Sequence, residues 1–329
     1  MIELRGKRIL IFSPYGTTVH YGNAIIEELR KRGAEVIGYD ERPSQGTFSK
    51  IIIRLLKNKI PQLFNNYLEK VILDNNDATF DYILICRGEA FNKQSIELLR
   101  EAYPKAKIIL YLWDILQCAD LRHIIQYCDK AMSFDPQDVE ENEGLEFRPT
   151  FYMNVYTQMP DIINKKHDCI FIGTVHSNRH KIINNIKNAF MNQGIELYSY
   201  LYIPSIIVYL KDLVLKFPYI SLRKVHFRPM GLKETLQLME ESACILDINY
   251  SSQKSLSFRV YEAMASRRKY ITTNPEVKSY DFYNPNNIAV IDISNPLLPE
   301  GFIDSPFEPI SQDIMKKYSV QGLVDDLFP

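Results

Sequence analysis

The sequence lacks most features that mark common anchored, secreted and zinc-binding proteins. Its 329 residues include five cysteines and six histidines, but no C-x-x-C pair and no zinc-ligand spacing. No run of about 18 uncharged apolar residues is present, so we expect no transmembrane helix. The polar start of the chain runs straight into a strand and predicts no signal peptide. We therefore expect reduced thiols and a cytoplasmic protein.

Charge and glycine spacing argue against two further classes. A formal net charge of −1 argues against a general nucleic-acid binder, so we expect no nucleic-acid partner. The loop after the first predicted strand, residues 14–23, has two glycines but no G-x-G-x-x-G dinucleotide motif. Because Asp40 follows the second predicted strand, a nicotinamide-dependent oxidoreductase stays as a distant alternative.

Apolar strand-like runs alternate with amphipathic helical runs in both halves of the chain. The pattern starts with RILIFS at residues 8–13 and restarts with DCIFIG at 168–173. This alternation predicts parallel α/β sheets that bind ligands at the carboxyl ends of their strands. We place a first Rossmann-like domain at residues 1–153, a second at 154–310, and a tail at 311–329 that crosses back to the first domain.

The stretch from Ser251 to Thr273 carries the clearest functional signal. An apolar run at 244–249 predicts a buried strand before it, and after a hydroxyl-rich loop residues 258–266 predict a helix. A loop that leads into a helix N-terminus favours a bound anion. Arg259 and Glu262 lie one turn apart, where an arginine can meet a diphosphate and a glutamate can meet a ribose diol. The competing interpretation is a surface ion pair on an ordinary amphipathic helix.

The segment at 247–265, DINYSSQKSLSFRVYEAMA, resembles the donor-binding segment of GT-B glycosyltransferases from bacterial capsule, exopolysaccharide and lipopolysaccharide gene clusters. The resemblance extends to LYLWD at 110–114, FDPQD at 134–138, FIGT at 171–174 and DFYN at 281–284. It implies the α/β architecture called GT-B, in which two Rossmann-like domains face a central cleft. It also implies that a nucleotide sugar is bound as a substrate, with no metal and no other cofactor.

The resemblance assigns donor-binding roles within this loop and helix. The residues that it implies for the diphosphate and the ribose of the donor are Ser255, Leu256, Ser257, Arg259 and Glu262. Many retaining members of this group carry another glutamate seven residues before the ribose-binding one, and this chain has Ser255 at that position. The stereochemical outcome is therefore left open.

A second phosphate-binding group is expected after the strand at 168–173. Gly173 and Thr174 end that strand, and a glycine lets the backbone approach an anion closely. Arg179 opens the next helix and can offer a two-pronged contact to a diphosphate, with His176 as a weaker candidate. In the competing interpretation Thr174 or Ser177 caps the helix and Arg179 is a solvated side chain.

Three further residues are expected to contact the donor. Arg228 and Met230 follow a predicted strand at the place where the resemblance puts the nucleobase, which we expect to be uracil. A plain β-turn is the alternative for this segment. Asp247 ends a buried strand and is expected either to bind a donor hydroxyl or to cap the next loop.

Catalysis is expected to come from the first domain. Glycosyl transfer needs a stabilised leaving diphosphate and, for inversion, a base near the acceptor hydroxyl. Asp114, at a strand's carboxyl end, is the first candidate base, His20 in the first loop is the second, and Glu89 is the third. Trp113 is expected to stack on a sugar ring. In the competing interpretation Asp114 only caps the segment that follows it.

The sequence thus predicts a glycosyltransferase of surface polysaccharide synthesis that moves a sugar from a UDP-sugar to a glycan or lipid-linked glycan acceptor. A UDP-sugar epimerase and a non-catalytic GT-B protein with a degenerate site are the alternatives. Basic apolar segments at 51–60 and 201–215 favour peripheral contact with the inner membrane face. Core-facing helices are the alternative for both segments.

Overall fold

The structure is a computed structural model that describes residues 2–42, 60–175, 179–206, 209–210, 222–249 and 254–328. The chain forms two compact units: unit 1 comprises residues 1–150 and 319–329, and unit 2 comprises residues 151–318. Each unit is built on its own six-stranded parallel sheet, so the predicted two-domain α/β fold is confirmed. The predicted contact residue His176, residues 51–59 and part of the segment 201–215 lie outside the described residues.

The strands and helices alternate along both units. The described strands are β1 Arg8–Ser13, β2 Glu35–Asp40, β3 Tyr82–Cys86, β4 Lys107–Leu112, β5 Lys130–Ser133, β6 Glu146–Phe147, β7 His167–Thr174, β8 Leu197–Tyr202, β9 Val225–His226, β10 Ser242–Asp247, β11 Lys269–Thr272 and β12 Ile288–Val290. The described helices are α1 Val19–Lys31, α2 Ile60–Asp74, α3 Lys93–Ala102, α4 Arg122–Ile125, α5 Pro136–Glu141, α6 Asn154–Thr157, α7 Arg179–Asn192, α8 Leu232–Glu240, α9 Phe258–Ala265, α10 Gln312–Lys317 and α11 Val320–Leu327.

The sheet of unit 1 has the strand order β2-β1-β3-β4-β5-β6. The chain leaves β1 towards β2 on one side and continues to β3 on the other, so the switch point lies at the carboxyl ends of β1 and β3. All five residues of β3 are buried, because layers on both faces cover a parallel sheet. Phe12, Phe64 and Phe91 meet edge to face in this core. The last helix, α11, belongs to unit 1 and packs against α1.

The sheet of unit 2 has the strand order β12-β11-β10-β7-β8-β9. Here the switch point lies at the carboxyl ends of β7 and β10, which are adjacent and parallel. Cys169 and Cys244 face each other in the register of these two strands, are fully buried and remain free thiols. They act as small apolar core residues. Phe171, Phe190 and Leu246 belong to the same core.

Helix α1 begins earlier than the sequence predicts. We expected a loop up to Asn23, but α1 starts at Val19 and runs through Gly22. A Cβ atom at Gly22 would lie 2.4 Å from Oγ of Ser13, so only glycine lets the helix pass this close to the end of β1. The expectation that His20 lies in the first loop is therefore wrong, because the structure places His20 in the first turn of α1.

Candidate functional site

The carboxyl ends of β7 and β10 bring several predicted donor-binding residues together. Arg179 donates from Nη2 to the carbonyl of Ile248 at 3.0 Å and from Nη1 to the carbonyl of Thr174 at 3.4 Å. Its side chain therefore spans the switch point of the unit 2 sheet. Burial lowers the pKa of Arg179, and the nearby Asp247 carboxylate opposes that shift. A cation is thus fixed where the two strands end.

Gly173 makes room for this arrangement. A Cβ atom at this position would lie 2.7 Å from Cζ of Phe171 and 3.6 Å from Nη1 of Arg179. Because protein interiors are close-packed, a larger residue would displace the Phe171 ring or the guanidinium. The sequence predicted a glycine for close approach of an anion, and the structure adds a packing requirement for it.

Asp247 connects the end of β10 to the start of α9. Its Oδ2 atom accepts hydrogen bonds from Oγ of Ser257 at 2.6 Å and from the hydroxyl of Tyr270 at 2.8 Å. Ser257 is the N-cap of α9, and its Oγ accepts a hydrogen bond from the backbone N–H of Arg259 at 3.2 Å. Asp247 therefore orients the cap of the helix that carries Arg259 and Glu262.

Hydrogen bonds from the side chain of Asn274 hold the loop before α9. Its amide nitrogen donates to the carbonyl of Ser255 at 3.1 Å and to the carbonyl of Lys254 at 3.4 Å. Asn274, Ser255 and Leu256 are all buried. As placed, Ser255 and Leu256 shape the loop from inside and present little surface to a ligand, whereas Ser257 is only partly buried.

Helix α9 is buried along most of its length. Residues 260–265 are all buried, and Glu262 has an exposed fraction of only 1%. Nη1 of Arg259 lies 2.7 Å from Oε2 of Glu262. Burial raises the pKa of Tyr156, and so does its hydrogen bond to the Glu262 carboxylate. The predicted pair exists, but it is a recessed pair next to a tyrosine and not an ion pair on a solvated helix face.

The residues expected to meet the nucleobase are organised separately. The Arg228 side chain is 71% exposed and pairs with Glu234 of α8. The carbonyl of Arg228 accepts a hydrogen bond of 2.8 Å from the hydroxyl of Tyr200, whose ring stacks on His226 at 3.9 Å. Met230 follows in the turn before α8 and is partly buried. β8 separates this turn from the switch point, and the hydrogen bonds of the Arg179 side chain go to Thr174 and Ile248.

In unit 1, Asp114 lies just beyond the end of β4. Its Oδ2 atom is 3.6 Å from Nε of Arg87, and 48% of its side chain is exposed. Desolvation by the surrounding protein raises the pKa of Asp114. The Glu89 carboxylate raises it further, while the positive charges of Arg87 and Arg42 lower it. The following segment is capped by another residue, because the N–H of Leu116 donates to Asp138.

His20 is linked to the same end of the sheet through aromatic rings. Its ring lies 4.2 Å from that of Tyr21, which meets the Trp113 ring edge to face at 6.3 Å. The start of α1 and the segment after β4 are therefore in contact. The structure thus brings His20, Trp113 and Asp114 into one neighbourhood within unit 1.

Sequence reasoning named Glu89 but missed the rest of the charged cluster at the ends of β2 and β3. Glu41 is fully buried, and its Oε2 atom accepts a hydrogen bond of 3.0 Å from the backbone N–H of Gly88. Its Oε1 atom lies 2.6 Å from Nη2 of Arg87. Glu89 pairs with both Arg87 and Arg42. The signal in the sequence is two short segments rich in charge: DER at 40–42 begins at the last residue of β2, and RGE at 87–89 follows β3. Both strands neighbour β1.

Glu41 also has a pKa far above that of an ordinary glutamate. Burial raises its pKa to about 7, and Glu89 adds to the shift, while Arg87, Arg42 and the N–H of Gly88 oppose it. Burial raises the pKa of the Cys86 thiol, and the negative charge of Glu41 raises it further. Among the described residues no group of three His, Cys, Asp or Glu side chains is placed to hold a metal ion.

Comparisons with known proteins give a fold. No protein-family model and no curated protein matches the chain. The chain is similar to the structure of the lipopolysaccharide outer core galactosyltransferase WaaB, with 11% identity, a TM-score of 0.51 and 98% of each chain covered. It is also similar to the UDP-GlcNAc 2-epimerase from Methanocaldococcus jannaschii, with 12% identity, a TM-score of 0.53 and coverage of 97% of this chain and 99% of that one.

The chain is also similar to a protein of a different kind. The N-terminal domain of trehalose-6-phosphate phosphatase from Candida albicans has 10% identity and a TM-score of 0.50, with 99% of this chain and 97% of that one covered. At these identities the likeness shows the fold alone, and function must be argued from the site. The GT-B fold implied by the resemblance of the sequence is confirmed. Within the parts of the chain that the structure covers, no helix combines the length and apolar character that a membrane span requires.

Proposed function

We propose that this protein is a glycosyltransferase that moves a sugar from a UDP-sugar to a glycan or lipid-linked glycan acceptor in surface polysaccharide synthesis. One observation supports this proposal above all others. Arg179, Asp247, Ser257, Arg259 and Glu262 are connected at the switch point of unit 2, where an α/β sheet binds its ligands. This set offers two cations for a diphosphate and one carboxylate for a diol.

The proposed donor chemistry follows from the side chains. Arg179 and Arg259 stabilise the negative charge that develops on the leaving diphosphate, with help from the N-terminus of α9. Glu262 accepts hydrogen bonds from the ribose hydroxyls. Because Arg259 already holds Glu262 at 2.7 Å, the carboxylate keeps its orientation before the donor arrives.

Unit 1 supplies the acceptor side in this proposal. Asp114 takes the proton from the acceptor hydroxyl, and its raised pKa makes it a stronger base than an ordinary aspartate. His20 is the second candidate for this role. Trp113 is largely buried and packs against Tyr21, so it supports the site and leaves little ring surface for the stacking on a sugar that we expected.

A UDP-sugar epimerase is the second candidate function. The likeness to the epimerase from Methanocaldococcus jannaschii, with a TM-score of 0.53, favours it as much as the galactosyltransferase favours transfer. The two functions differ in what they consume. An epimerase converts a UDP-sugar without any acceptor, whereas a transferase releases UDP only when an acceptor is present. Incubation with UDP-GlcNAc or UDP-glucose, analysed by proton NMR with and without glycan acceptors, separates them.

Donor binding is tested by thermal-shift titration against UDP, GDP, CMP, ADP and NAD. A ligand at 100 times its dissociation constant should add about 2.7 kcal/mol to the free energy of unfolding, which raises Tm by a few degrees. We expect one nucleoside diphosphate, UDP, to stabilise the protein. Glu262→Gln should abolish the shift, because the amide keeps the volume of the buried side chain but loses the charge.

The matched control is Glu196→Gln, which changes an exposed carboxylate at the opposite end of the same sheet. It should keep the full UDP shift. Stabilisation by NAD alone would contradict the proposal, and so would an equal loss in both variants. If no nucleotide stabilises the protein, a non-catalytic GT-B protein becomes the better explanation.

We also propose a cytoplasmic location with peripheral contact to the inner membrane face. The five free thiols fit a reducing compartment. Ile206 and Leu210, within the apolar segment 201–215, are about half exposed. Sedimentation of the protein with anionic lipid vesicles tests the contact, and Ile206→Gln should weaken it.

A further inference from the structure

The most unusual chemistry outside the donor site lies at the switch point of unit 1. Glu41 follows β2 directly, and its backbone N–H donates to the carbonyl of Ser13, the last residue of β1, at 3.2 Å. Its side chain extends across the end of β1 and reaches the segment that follows β3. A fully buried carboxyl group thus lies under the place where this sheet would bind a ligand.

Both carboxyl oxygens of Glu41 are engaged by two consecutive residues. Oε2 accepts from the N–H of Gly88, and Oε1 pairs with Nη2 of Arg87. Arg87 has a φ of 69° and Gly88 a φ of 76°. A left-handed backbone is uncommon for a residue with a side chain and persists only where its surroundings fix it. The carbonyls of Tyr111 and Cys86 hold this turn by accepting from the N–H groups of Arg87 and Gly88, and Glu41 adds a contact to the backbone of Gly88 and to the side chain of Arg87.

Arg87 in turn is shared between carboxylates from three segments. Nη2 contacts Glu41 and Glu89, and Nε lies 3.6 Å from Oδ2 of Asp114. That distance is too long for a hydrogen bond. Nε is buried and has no hydrogen-bond partner among the described residues. The guanidinium therefore keeps one donor close to Asp114, and a small shift of Asp114 would bring the two atoms within hydrogen-bond distance.

We infer that Glu41 is a positioning residue for the acceptor side of the site: it holds Arg87 in a left-handed turn so that the guanidinium faces Asp114. The inference rests on the proposed function, since Asp114 is the base in that proposal. We assign Glu41 no substrate contact, because the N–H of Gly88 and the guanidinium of Arg87 already lie against its two carboxyl oxygens. It acts by deciding how much of the positive charge of Arg87 is available to Asp114.

Because Glu41 gains or loses a proton, the share of the Arg87 charge that is available to Asp114 depends on pH. The charged and titratable groups around it are Arg42 on its own segment, Cys86, Arg87 and Glu89 from the segment of β3, and Asp114 beyond β4. When Glu41 is ionised, it competes with Asp114 for Arg87. When Glu41 is protonated, the guanidinium of Arg87 has only the charges of Glu89 and Asp114 to pair with. This lowers the pKa of Asp114 and makes it a weaker base.

The test follows the carboxyl group of Asp114 directly. In protein labelled with ¹³C-aspartate, the resonance missing from Asp114→Asn identifies Asp114, and its chemical shift is followed from pH 3 to pH 9. In wild type we expect the chemical shift of Asp114 to show a second change near pH 7, where Glu41 ionises, and Glu41→Gln should remove that second change. The glutamine keeps an oxygen for the N–H of Gly88, so the turn has its acceptor while the charge is removed. Arg87→Gln should raise the pKa of Asp114.

The decisive comparison is the double variant. If Glu41 acts through Arg87, Glu41→Gln alters the response of Asp114 near pH 7 in the wild-type background and not in the Arg87→Gln background. An equal change in both backgrounds would mean direct repulsion and would overturn the inference. Asp81→Asn, at the other end of β3, is the control and should leave the titration of Asp114 unchanged. No donor or acceptor is needed, so the result is independent of whether UDP binds.

Discussion

A single buried side chain, Glu41, shows how position changes the chemistry of a common residue. Water would solvate a free glutamate, but Glu41 is fully buried and has only Arg87, Arg42 and the N–H of Gly88 to stabilise its charge. These contacts do not compensate for the lost hydration, so its pKa rises to about 7. Proton binding at this one carboxyl group is therefore coupled to folding.

The first prediction concerns the stability of Glu41→Gln. The pKa of Glu41 is raised from 4.5 to about 7 on folding, so between these values the folded state holds a proton that the unfolded state has lost. The free energy of unfolding of the wild type should therefore fall as the pH rises through this window. The variant has no such proton, so its stability relative to wild type should increase by up to about 3 kcal/mol from pH 4.5 to pH 8.

Urea unfolding at pH 4.5, 6 and 8 measures this difference. Glu97→Gln, at an exposed carboxylate in the same unit, shows the effect of removing a surface charge. Curves for wild type and Glu41→Gln that run parallel across the three pH values would show that Glu41 is ionised in the folded protein over the whole range.

At the scale of elements, the strands were easier to predict than the helix ends. β1 lies where its apolar run places it, because strands buried on both faces are nearly continuous apolar segments. The start of α1 was missed because Gly22 was taken as part of a loop. β6, with two exposed residues, has no apolar pattern to find. The local sequence pattern predicts which residues are buried, but it does not predict where distant segments approach each other closely.

The same reasoning explains which parts of the candidate site could be predicted. Arg259 and Glu262 are one helical turn apart in sequence, so their pairing follows from local geometry. Glu41 and Arg87 are 46 positions apart by number, and only the crossing of the chain over β1 brings them together. The burial of Ser255 likewise depends on Asn274, which lies in the loop that follows β11. Such contacts need the sheet order, which one sequence does not provide.

The second prediction tests the close approach of α1 to β1. In Gly22→Ala the new Cβ atom would lie 2.4 Å from Oγ and 2.8 Å from Cβ of Ser13, so helix and strand must separate. We expect a loss of about 1–3 kcal/mol in the free energy of unfolding. In a Ser13→Gly background both clashing atoms are absent, and the same change should be neutral or stabilising by up to about 1 kcal/mol, because alanine favours helices.

A double-mutant cycle of these four proteins by urea unfolding gives the coupling energy. The Ser13→Gly single variant is its internal control. If Gly22→Ala costs the same in both backgrounds, the clash with Ser13 is not what requires glycine at this position.

At the scale of the whole molecule, two separate cores divide the chain. One core contains residues of β1, β3 and β4 with α2 and α3, and the other contains residues of β7, β8 and β10 with α7. Unit 1 also depends on the far end of the chain, because α11 lies on α1. Phe328 contributes to that contact through an edge-to-face pair with Tyr82 at 5.2 Å.

A buried ion-pair network fixes α11 to α1. Nε of Arg32 lies 2.8 Å from Glu28, Nη1 lies 2.6 Å from Asp325, and Nη2 donates to the carbonyl of Gln321 at 2.7 Å. The side chains of Arg32 and Glu28 are both almost completely buried. Removing one member of such a pair leaves the other charge buried, which costs far more than the pair itself contributes.

The third prediction follows from this asymmetry. Arg32→Met should lower the free energy of unfolding by about 3–5 kcal/mol, because Glu28 loses its counter-charge. Glu28→Gln combined with Arg32→Met should recover part of that loss. Lys166→Met is the control, since it breaks an exposed pair with Glu241 in unit 2 and should cost no more than about 1 kcal/mol.

Hydrogen exchange measured by mass spectrometry locates the effect. In Arg32→Met we expect residues 1–150 and 319–329 to lose protection, while residues 151–318 keep the protection of their own core. This pattern would show that the last eleven residues complete a fold that starts at the first strand. A loss of protection spread evenly over both units would instead mean that the chain opens as one cooperative body, and a cost as small as that of Lys166→Met would mean that this ion-pair network does not stabilise the contact of α11 with α1.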